Sequence, residues 1–322
     1  MPSGTFVPQS ILDPVGPVAA SIEQLWWVLF WVLTVILVLV SSGILYALFR
    51  RRPDEDPGDP MLAPDDGRPL RWVLTLGVGV SGVILTGLFV HSLVTLRQMH
   101  DRPPADVTID VTGWDWWWEI RYITPAGDTV RSANEIHVPV GREVELRLRS
   151  GDVIHSLWIP RLAGKVDLIP GRTTAMHVRA DRPGVLRGQC AEYCGVQHTN
   201  MGLMLVASAP SEYEAWLARE AAPALEPAAG SIEARGRDIF TSSACASCHS
   251  VRGTSAAGTL GPDLTHVASR LTLGAGVLST THASMAGWIA NPQQLKPGNL
   301  MPSVPLPPAD LRALTAYMMS LH

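Results

Sequence analysis

Charged side chains are scarce in this sequence, and the scarcity is uneven along the chain. Only 17% of the 322 residues are Asp, Glu, Lys or Arg, whereas 47% are hydrophobic, and the formal net charge is -4. No basic patch is visible, so nucleic acid is not expected as a partner. Charge is missing altogether from residues 25–49, and residues 72–96 offer only the titratable His91. These two runs account for the apolar composition.

Each of the two runs is longer than the roughly 20 apolar residues that a helix needs to cross a bilayer core. A helix buried in a soluble core keeps a polar stripe and seldom extends so far without one. A signal peptide fits poorly, because basic residues would precede a shorter apolar region, and residues 1–24 contain no Lys or Arg. We therefore predict a transmembrane hairpin over residues 25–96, with spans at 25–49 and 72–96.

Basic residues between the two spans predict their orientation in the membrane, because cytoplasmic loops carry an excess of Lys and Arg. The short loop contains Arg50, Arg51, Arg52, Arg68 and Arg71. We therefore expect the loop to face the cytoplasm of a bacterium. The N-terminal tail and everything after about residue 97 then lie on the periplasmic or extracellular side of the inner membrane.

Residues 97–210 have the pattern of a small β domain. Val144, Leu146 and Leu148 alternate with charged residues, which gives a strand one apolar and one wet face. The alternation and the turns between similar runs predict a small antiparallel sandwich or barrel. Such runs, separated by Gly or Pro, occur at residues 107–111, 116–122, 153–159, 173–179 and 203–207.

The composition changes at the end of this β domain. A short helical stretch through Trp216 is followed by a segment rich in Ala, Pro and Glu, which is typical of a linker. We predict a linker over residues 211–229 and an all-α domain over residues 230–322. Helices are expected there at residues 232–240 and 308–321. The sequence contains no internal repeat.

Cysteine is also scarce, and the four cysteines fall in two clusters. The first cluster combines Cys190, Cys194, His198 and Met201 in one short stretch. Two thiolates, an imidazole and a thioether are soft ligands that select copper. A disulfide between the two cysteines and a zinc site are the alternatives. Neither explains the spacing of His198 and Met201, because zinc seldom uses Met and a disulfide needs neither residue.

A second histidine ligand for the copper site is expected from elsewhere in the β domain. His155, in Gly-Asp-Val-Ile-His-Ser-Leu-Trp, is expected at the start of a strand from which it could meet the cysteine loop. The whole pattern resembles the cupredoxin-like CuA domain of subunit II of haem-copper oxidases. In that family two thiolates bridge two copper ions, and each copper has one His. The resemblance implies as ligands Cys190, Cys194, His155, His198, Met201 and the backbone carbonyl of Glu192.

The resemblance extends over residues 107–207 and implies contacts with other subunits. Residues 165–172 resemble a stretch that faces the catalytic subunit, which makes Asp167 and Arg172 candidates for an interface. A carboxylate at the position of Glu192 helps the family to bind a magnesium ion between subunits. Without the resemblance, Glu192 would be interpreted as a solvated loop carboxylate.

Four tryptophans lie within residues 113–119. Clustered tryptophans usually pack in a core or at a membrane interface, and that interpretation holds for some of them. The segment also resembles the aromatic patch through which the oxidase family receives electrons. Trp116 occupies the position at which the resemblance implies that electrons enter.

The second cysteine cluster is Cys245-Ala-Ser-Cys248-His249. This is the attachment pattern of a c-type haem, with two thioether bonds and the histidine as axial ligand. A thioredoxin-like motif would need a surrounding βαβ pattern, which the sequence lacks. We therefore expect one covalent haem c, held by Cys245, Cys248 and His249.

The sixth iron ligand should be a methionine or histidine farther along the chain. Met285, Met301, Met318 and Met319 compete, and we predict Met301 because it follows a Pro-bounded loop, whereas Met318 and Met319 lie in a predicted helix. Met ligation raises the haem potential, as suits an electron carrier. Residues 288–302 also resemble the class I cytochrome c fused to subunit II in caa-type oxidases.

The order of two spans, CuA domain, linker and cytochrome resembles a caa-type subunit II along the whole chain. The resemblance implies electron transfer from a cytochrome c-type donor to haem c, then to CuA, then to the haems of a separate subunit I. Oxygen would be reduced to water on that proton-translocating partner, not on this chain. Quinol-oxidising members of the family lack the copper ligands, so the resemblance, with the complete set present here, argues against a quinol donor.

Two other functions fit parts of the pattern. A CuA-containing nitric oxide reductase could use the same carrier modules with a different catalytic partner. A membrane-bound copper-binding or delivery protein could use Cys190, Cys194 and Met201 as storage ligands. The covalent haem motif disfavours the second alternative, because copper delivery does not require a haem.

Overall fold

The computed structural model describes residues 9–50, 68–100, 103–124, 127 and 129–322. It divides into two compact units, one comprising Ser21–Arg102 and the other comprising Met1–Ala20 with Pro103–His322. Part of the loop on which the orientation depends, including Arg51 and Arg52, lies outside the described residues.

Two long helices follow one another near the N-terminus, α1 at Pro17–Phe49 and α2 at Arg68–His100. Both are long and apolar enough to cross a membrane. Each is longer than the uncharged run that predicted it, because polar residues at the ends continue the helix. Threonine hydroxyls within the helices donate to backbone carbonyls one turn earlier. The hydroxyl of Thr34, for example, donates to the carbonyl of Phe30 at 2.7 Å.

The β domain contains two five-stranded sheets in the described part of the chain, with strand orders β3-β2-β1-β5-β8 and β4-β10-β9-β6-β7. Their inner faces pack together around a buried apolar core, as in a cupredoxin-like sandwich. The strands are β1 Val107–Trp114, β2 Trp117–Ile123, β3 Thr129–Ala133, β4 Glu135–Pro139, β5 Val144–Ser150, β6 His155–Trp158, β7 Val166–Leu168, β8 Thr174–Val178, β9 Gly184–Cys190 and β10 Gly202–Ser208.

Strand β5 has the alternation that the sequence predicts, since Val144, Leu146 and Leu148 are buried between less buried neighbours. The expectation of a purely antiparallel domain is wrong. β1 pairs with β5 in parallel, and β10 pairs with β4 in parallel. Both pairs join strands that are distant in sequence, so no turn between them could have revealed the direction.

The C-terminal part is helical apart from one small hairpin, and it corresponds to the predicted cytochrome domain. Its core contains Phe240, Met285, Leu314 and Tyr317. Its elements are α4 Ile232–Ser242, α5 Cys245–Cys248, β11 Thr272–Leu273, β12 Leu278–Ser279, α6 His282–Ala290, α7 Pro292–Leu295 and α8 Pro308–Ser320, after a connecting helix α3 at Pro210–Ala221.

Gly236 allows helices α4 and α8 to cross closely. A Cβ atom at Gly236 would lie 2.0 Å from the carbonyl oxygen of Ala313 and 2.7 Å from the Cβ of Tyr317. Backbone atoms cannot move away as a flexible side chain can, so the crossing requires glycine at this position.

The segment predicted as a linker is attached to both domains. Helix α3 continues past Trp216 as far as Ala221, and the Trp216 ring stacks on His137 of the β domain at 3.8 Å. At its other end, the carbonyl of Ala222 lies 3.0 Å from Nε2 of His266. The chain between the domains is therefore held against them rather than acting as a flexible tether.

The cytochrome domain contacts the β domain directly, within one compact unit. The contacts include hydrogen bonds from the backbone N–H of Leu271 to Glu135 Oε2 at 2.8 Å and from that of Gly202 to the carbonyl of Ala275 at 2.9 Å. They anchor the loop at β11 and β12 beside the start of β10.

Candidate copper and haem sites

The connection between β9 and β10 gathers most of the predicted copper ligands. Cys190 is the last residue of β9, and Met201 immediately precedes β10. The backbone N–H of Cys190 donates to the carbonyl of Met201 at 2.9 Å and closes the loop that carries Cys194 and His198. β6 pairs with β9, and its first residue, His155, therefore faces the same loop.

The side-chain donor atoms of this loop and of His155 converge on one small volume. The two Sγ atoms are 3.8 Å apart, well beyond the roughly 2.05 Å of a disulfide bond. The other separations are 4.0 Å from Cys190 Sγ to His155 Nδ1, 3.6 Å from Cys194 Sγ to His198 Nδ1, 3.8 Å from Cys194 Sγ to Met201 Sδ, and 3.2 Å from Cys190 Sγ to the carbonyl of Glu192.

Burial and an outer hydrogen bond hold these donors in place. His155 and Met201 are fully buried, and the two cysteines are only 4% and 5% exposed. Nε2 of His155 lies 2.7 Å from Oδ1 of Asp152, which leaves Nδ1 directed at the cysteines. Burial opposes protonation of His155, but its hydrogen bonds to Asp152 and Cys190 outweigh burial and raise its pKa to about 9.

The two thiols influence each other strongly. Their mutual hydrogen bond lowers the pKa of Cys190 well below its usual value and raises the pKa of Cys194, so that one negative charge is shared by the pair. A bound cation would remove the second proton as well, since metal charge favours the thiolate. The donor set of thiolates, imidazoles and a thioether therefore fits copper.

Trp116 lies against this loop. Its Nε1 donates to the carbonyl of Cys194 at 2.9 Å, and its side chain is only 9% exposed. Gly195 makes the approach feasible, because it has a φ of +118° and a Cβ there would lie 2.9 Å from the indole ring. Trp118, in contrast, is a fully buried core residue. The tryptophans of this segment thus differ in role.

The haem attachment motif occupies a single helical turn, α5, and the next residue. Cys245 and Cys248 are free and partly exposed. Nδ1 of His249 lies 2.8 Å from the carbonyl of Pro262, which assigns the proton to Nδ1 and leaves Nε2 for a metal. Burial lowers the pKa of His249 and so favours the neutral ring that binds iron. These residues fit a covalent haem c.

The four candidate methionines differ in their surroundings. Met285 and Met318 are core residues at 4% and 3% exposure, and Met319 packs against that core. Met301 lies in the loop between α7 and α8, where its backbone N–H donates to Asn299 Oδ1 at 2.8 Å. Of the four, Met301 is therefore the one that does not pack in the domain core. Its role as the iron ligand stays a prediction.

Comparisons with known proteins agree with this division of the chain. Residues 127–208 match the family described as cytochrome c oxidase subunit II, periplasmic domain, and residues 233–322 match cytochrome c. A protein of Alkalihalophilus pseudofirmus named cytochrome c oxidase subunit 2 is 33% identical over 319 residues, covering 96% of this chain and 90% of its own. The chain belongs to the cytochrome c oxidase subunit II family.

A second relative supports the same assignment. The cytochrome c oxidase subunit 2 of Bacillus sp. strain PS3 is 28% identical over 292 residues, which cover 85% of this chain and 80% of that protein. The chain is thus a component of a haem-copper oxidase, an oxidoreductase. Its domains imply copper and haem c, and its apolar helices and periplasmic domain make it a membrane protein.

Three residues near the copper loop of this subunit II were not predicted from the sequence. Asp152 orients His155. Gln197 and Lys296 form hydrogen bonds between the copper loop and the cytochrome domain. Only Lys296 carried a signal in the sequence, because lysine occurs at just one other position, Lys165.

The remaining candidates of this subunit II lie on or near the surface. Asp167 and Arg172 are exposed, and Glu192 is partly exposed. Their predicted contacts with another subunit and with magnesium stay predictions. His137 and His266, which the sequence analysis leaves out of the ligand set, have structural partners: Glu135 at 2.8 Å for His137 and two backbone carbonyls for His266.

Proposed function

We propose that this chain is the subunit through which electrons enter a terminal respiratory oxidase. It accepts electrons from a cytochrome c-type donor at haem c and passes them through a dinuclear CuA centre to the haem-copper site of subunit I. Oxygen is reduced to water there, on the partner subunit. This function goes beyond the family assignment, because it specifies the centres, their order and the donor.

One observation carries the proposal most directly. Six donor groups converge at the β9–β10 loop, five from residues 190–201 and one from His155 of β6, and this loop is hydrogen-bonded to the domain that contains the haem attachment motif. Gln197, next to His198, donates through Nε2 to the carbonyl of Pro297 at 2.6 Å. Two redox sites joined by short contacts within one compact unit support transfer between them.

When bound at these residues, haem c and the copper pair would each carry single electrons, and ligation by the two thiolates would let an electron be shared between the copper ions. The protein contributes rigidity and exclusion of water. The side chains of Cys190, Cys194, His155 and Met201 are buried, and Asp152 fixes the ring of His155. A dry and preorganised ligand set changes little in geometry when the charge of a bound metal changes, which favours fast transfer.

The same burial disfavours a copper delivery protein. A donor of copper ions must expose its ligands to a recipient, yet Cys190 and Cys194 are only 4% and 5% exposed. Met201 is fully buried. Burial of these side chains favours retention of a bound metal over its release.

The subunit would be anchored in the membrane and would contact other subunits of the oxidase. Helices α1 and α2 would span the bacterial inner membrane, with both redox domains outside the cytoplasm. The exposed Asp167 and Arg172 would contact subunit I, and Glu192 would contribute to a magnesium site shared with that subunit. Other oxidase subunits would complete the complex.

Purification of the intact membrane complex tests this function. We expect two copper ions and one covalent haem per copy of this chain, and oxygen uptake with reduced cytochrome c as donor. A content of one copper ion per chain would contradict a dinuclear CuA centre. Reduction of nitric oxide without oxygen uptake would instead favour the nitric oxide reductase.

A further inference from the structure

Lys296 is buried at the junction of the two redox domains. It follows helix α7 in the loop that leads to Met301, and it is only 3% exposed. Its ammonium donates to three backbone carbonyls, those of Trp116 at 2.8 Å, Asn200 at 2.8 Å and Gly274 at 2.9 Å. All three donors of the ammonium group are thereby used.

The three acceptors come from different parts of the molecule. Trp116 precedes β2, and Asn200 lies in the copper loop between His198 and Met201. Gly274 belongs to the cytochrome domain, between β11 and β12. The lysine side chain therefore leaves one domain and ends inside a cage that the other domain completes.

Neighbouring contacts make this cage part of a larger interface. Pro297 accepts the hydrogen bond of Gln197, and Gly202 at the end of the copper loop donates to Ala275. A Cβ on Gly298 would lie 3.1 Å from a methyl group of Val196. Residues 296–301 of the cytochrome domain, the Met301 loop, thus contact the copper loop.

We infer that Lys296 is a positioning residue, which fixes the Met301 loop against the copper loop so that electrons pass across this contact. The inference rests on the proposed function. Taking an ammonium group out of water is unfavourable unless all its hydrogen bonds are replaced. The cage replaces them only in the docked arrangement, and this selects one relative position of the two loops.

The contact also provides a connected route. The ammonium of Lys296 bonds the carbonyl of Trp116, and the indole of Trp116 bonds the carbonyl of Cys194. Two hydrogen bonds, both made by Trp116, therefore link the Met301 loop to a predicted copper ligand. An external donor cannot stack on Trp116 while this contact is formed, because the indole is almost completely covered.

Amine modification of the full chain tests the docked contact without any electron transfer. The chain has two lysines, and Lys165 is exposed in the chain alone, so it serves as an internal standard when the chain is labelled apart from its partner subunits. Burial lowers the pKa of Lys296 to about 7, which increases its neutral, reactive fraction, so slow labelling would report inaccessibility and not charge. We expect Lys296 to react on the order of a hundredfold more slowly than Lys165, as for a group that reacts only during local opening.

A substitution tests the positioning role. Lys296→Met keeps a long unbranched side chain but leaves the three carbonyls unpaired. We expect transfer from haem c to copper to slow about tenfold, because unpaired buried carbonyls destabilise the contact. The absorption spectra and reduction potentials of both centres should not change. Gln294→Met, at an exposed position of the preceding helix α7, is the matched control and should leave the transfer rate unchanged.

Each outcome is decisive. Equal labelling of Lys296 and Lys165 would overturn the docked contact, whatever the function of the chain. Protection of Lys296 together with an unchanged transfer rate in Lys296→Met would overturn the positioning role, as would loss of either absorption spectrum in that variant. Failure of the proposed function would instead appear as missing copper or missing oxygen uptake in the unaltered complex.

Discussion

The indole Nε1 of Trp116 donates a hydrogen bond to the backbone carbonyl of Cys194 at 2.9 Å. This bond connects the residue at which electrons are proposed to enter with a predicted ligand of the copper pair. It also explains why Trp116 differs from its neighbours, since Trp118 is a core residue and Trp117 begins strand β2.

Loss of this hydrogen bond should slow electron transfer without disturbing either centre. Trp116→Phe keeps an aromatic ring but removes the N–H, at a cost in stability of about 1 kcal/mol. We expect slower reduction of copper after haem c in rapid-mixing absorbance, with both spectra unchanged. Trp117→Phe is the matched control, and an equal effect there would show that the Trp116 bond has no special role.

The two predicted cofactor sites should be separable by single substitutions. Cys194→Ser removes a predicted copper-ligating thiolate that a hydroxyl cannot replace, so the proposed dinuclear copper spectrum should be lost while haem stays attached. Cys245→Ser should leave the copper spectrum intact but disturb haem attachment. Copper analysis and haem staining of the purified chain check both. A native two-copper spectrum in Cys194→Ser would refute the ligand assignment.

The methionine assignment predicts opposite effects at two positions. Met301→Ala should leave covalent haem in place and shift its reduction potential, because the sulfur ligand is gone. Met285→Ala should keep the potential but destabilise the cytochrome domain by about 2 to 5 kcal/mol, because it empties part of the core. Redox titration and thermal unfolding separate the two. A potential shift in Met285→Ala alone would contradict the choice of Met301.

The close crossing of α4 and α8 predicts a strong effect of one added methyl group. Gly236→Ala would place Cβ against the carbonyl of Ala313, so we expect a loss of about 1 to 3 kcal/mol in the stability of the cytochrome domain. At Gly287 the nearest atom would be 3.9 Å away, and Gly287→Ala should stabilise helix α6 by about 0.5 to 1 kcal/mol. Thermal unfolding followed by haem absorbance measures both, and equal stabilities would contradict the crossing.

The sequence was most informative where chemistry is local. The spacing of Cys190, Cys194, His198 and Met201 could predict a common loop because all four fall within the twelve residues that end β9 and connect it to its partner β10. The alternation around Leu146 could predict strand β5 because alternating burial within one strand is also a local pattern. Cysteines at 245 and 248 are likewise contained in one helical turn.

Long-range relationships could not be predicted in this way. The parallel pairing of β1 with β5 depends on the whole sandwich and has no local signature. Lys296 meets Trp116 across 180 positions and Asn200 across 96, so its sequence context showed only a loop beside proline. The composition of residues 211–229 predicted a linker but no contact, whereas the stacking of Trp216 on His137 holds that segment in place.

The order in which the two centres become reduced tests the central claim most directly. The oxygen-free intact complex is mixed rapidly with its reduced cytochrome c donor, and the absorbance of haem c and of copper is followed separately. The account predicts that haem c is reduced first and that copper follows at a rate independent of donor concentration, since the second step takes place within one chain. Reduction of copper before haem c, or a copper rate that rises in proportion to the donor, would contradict it.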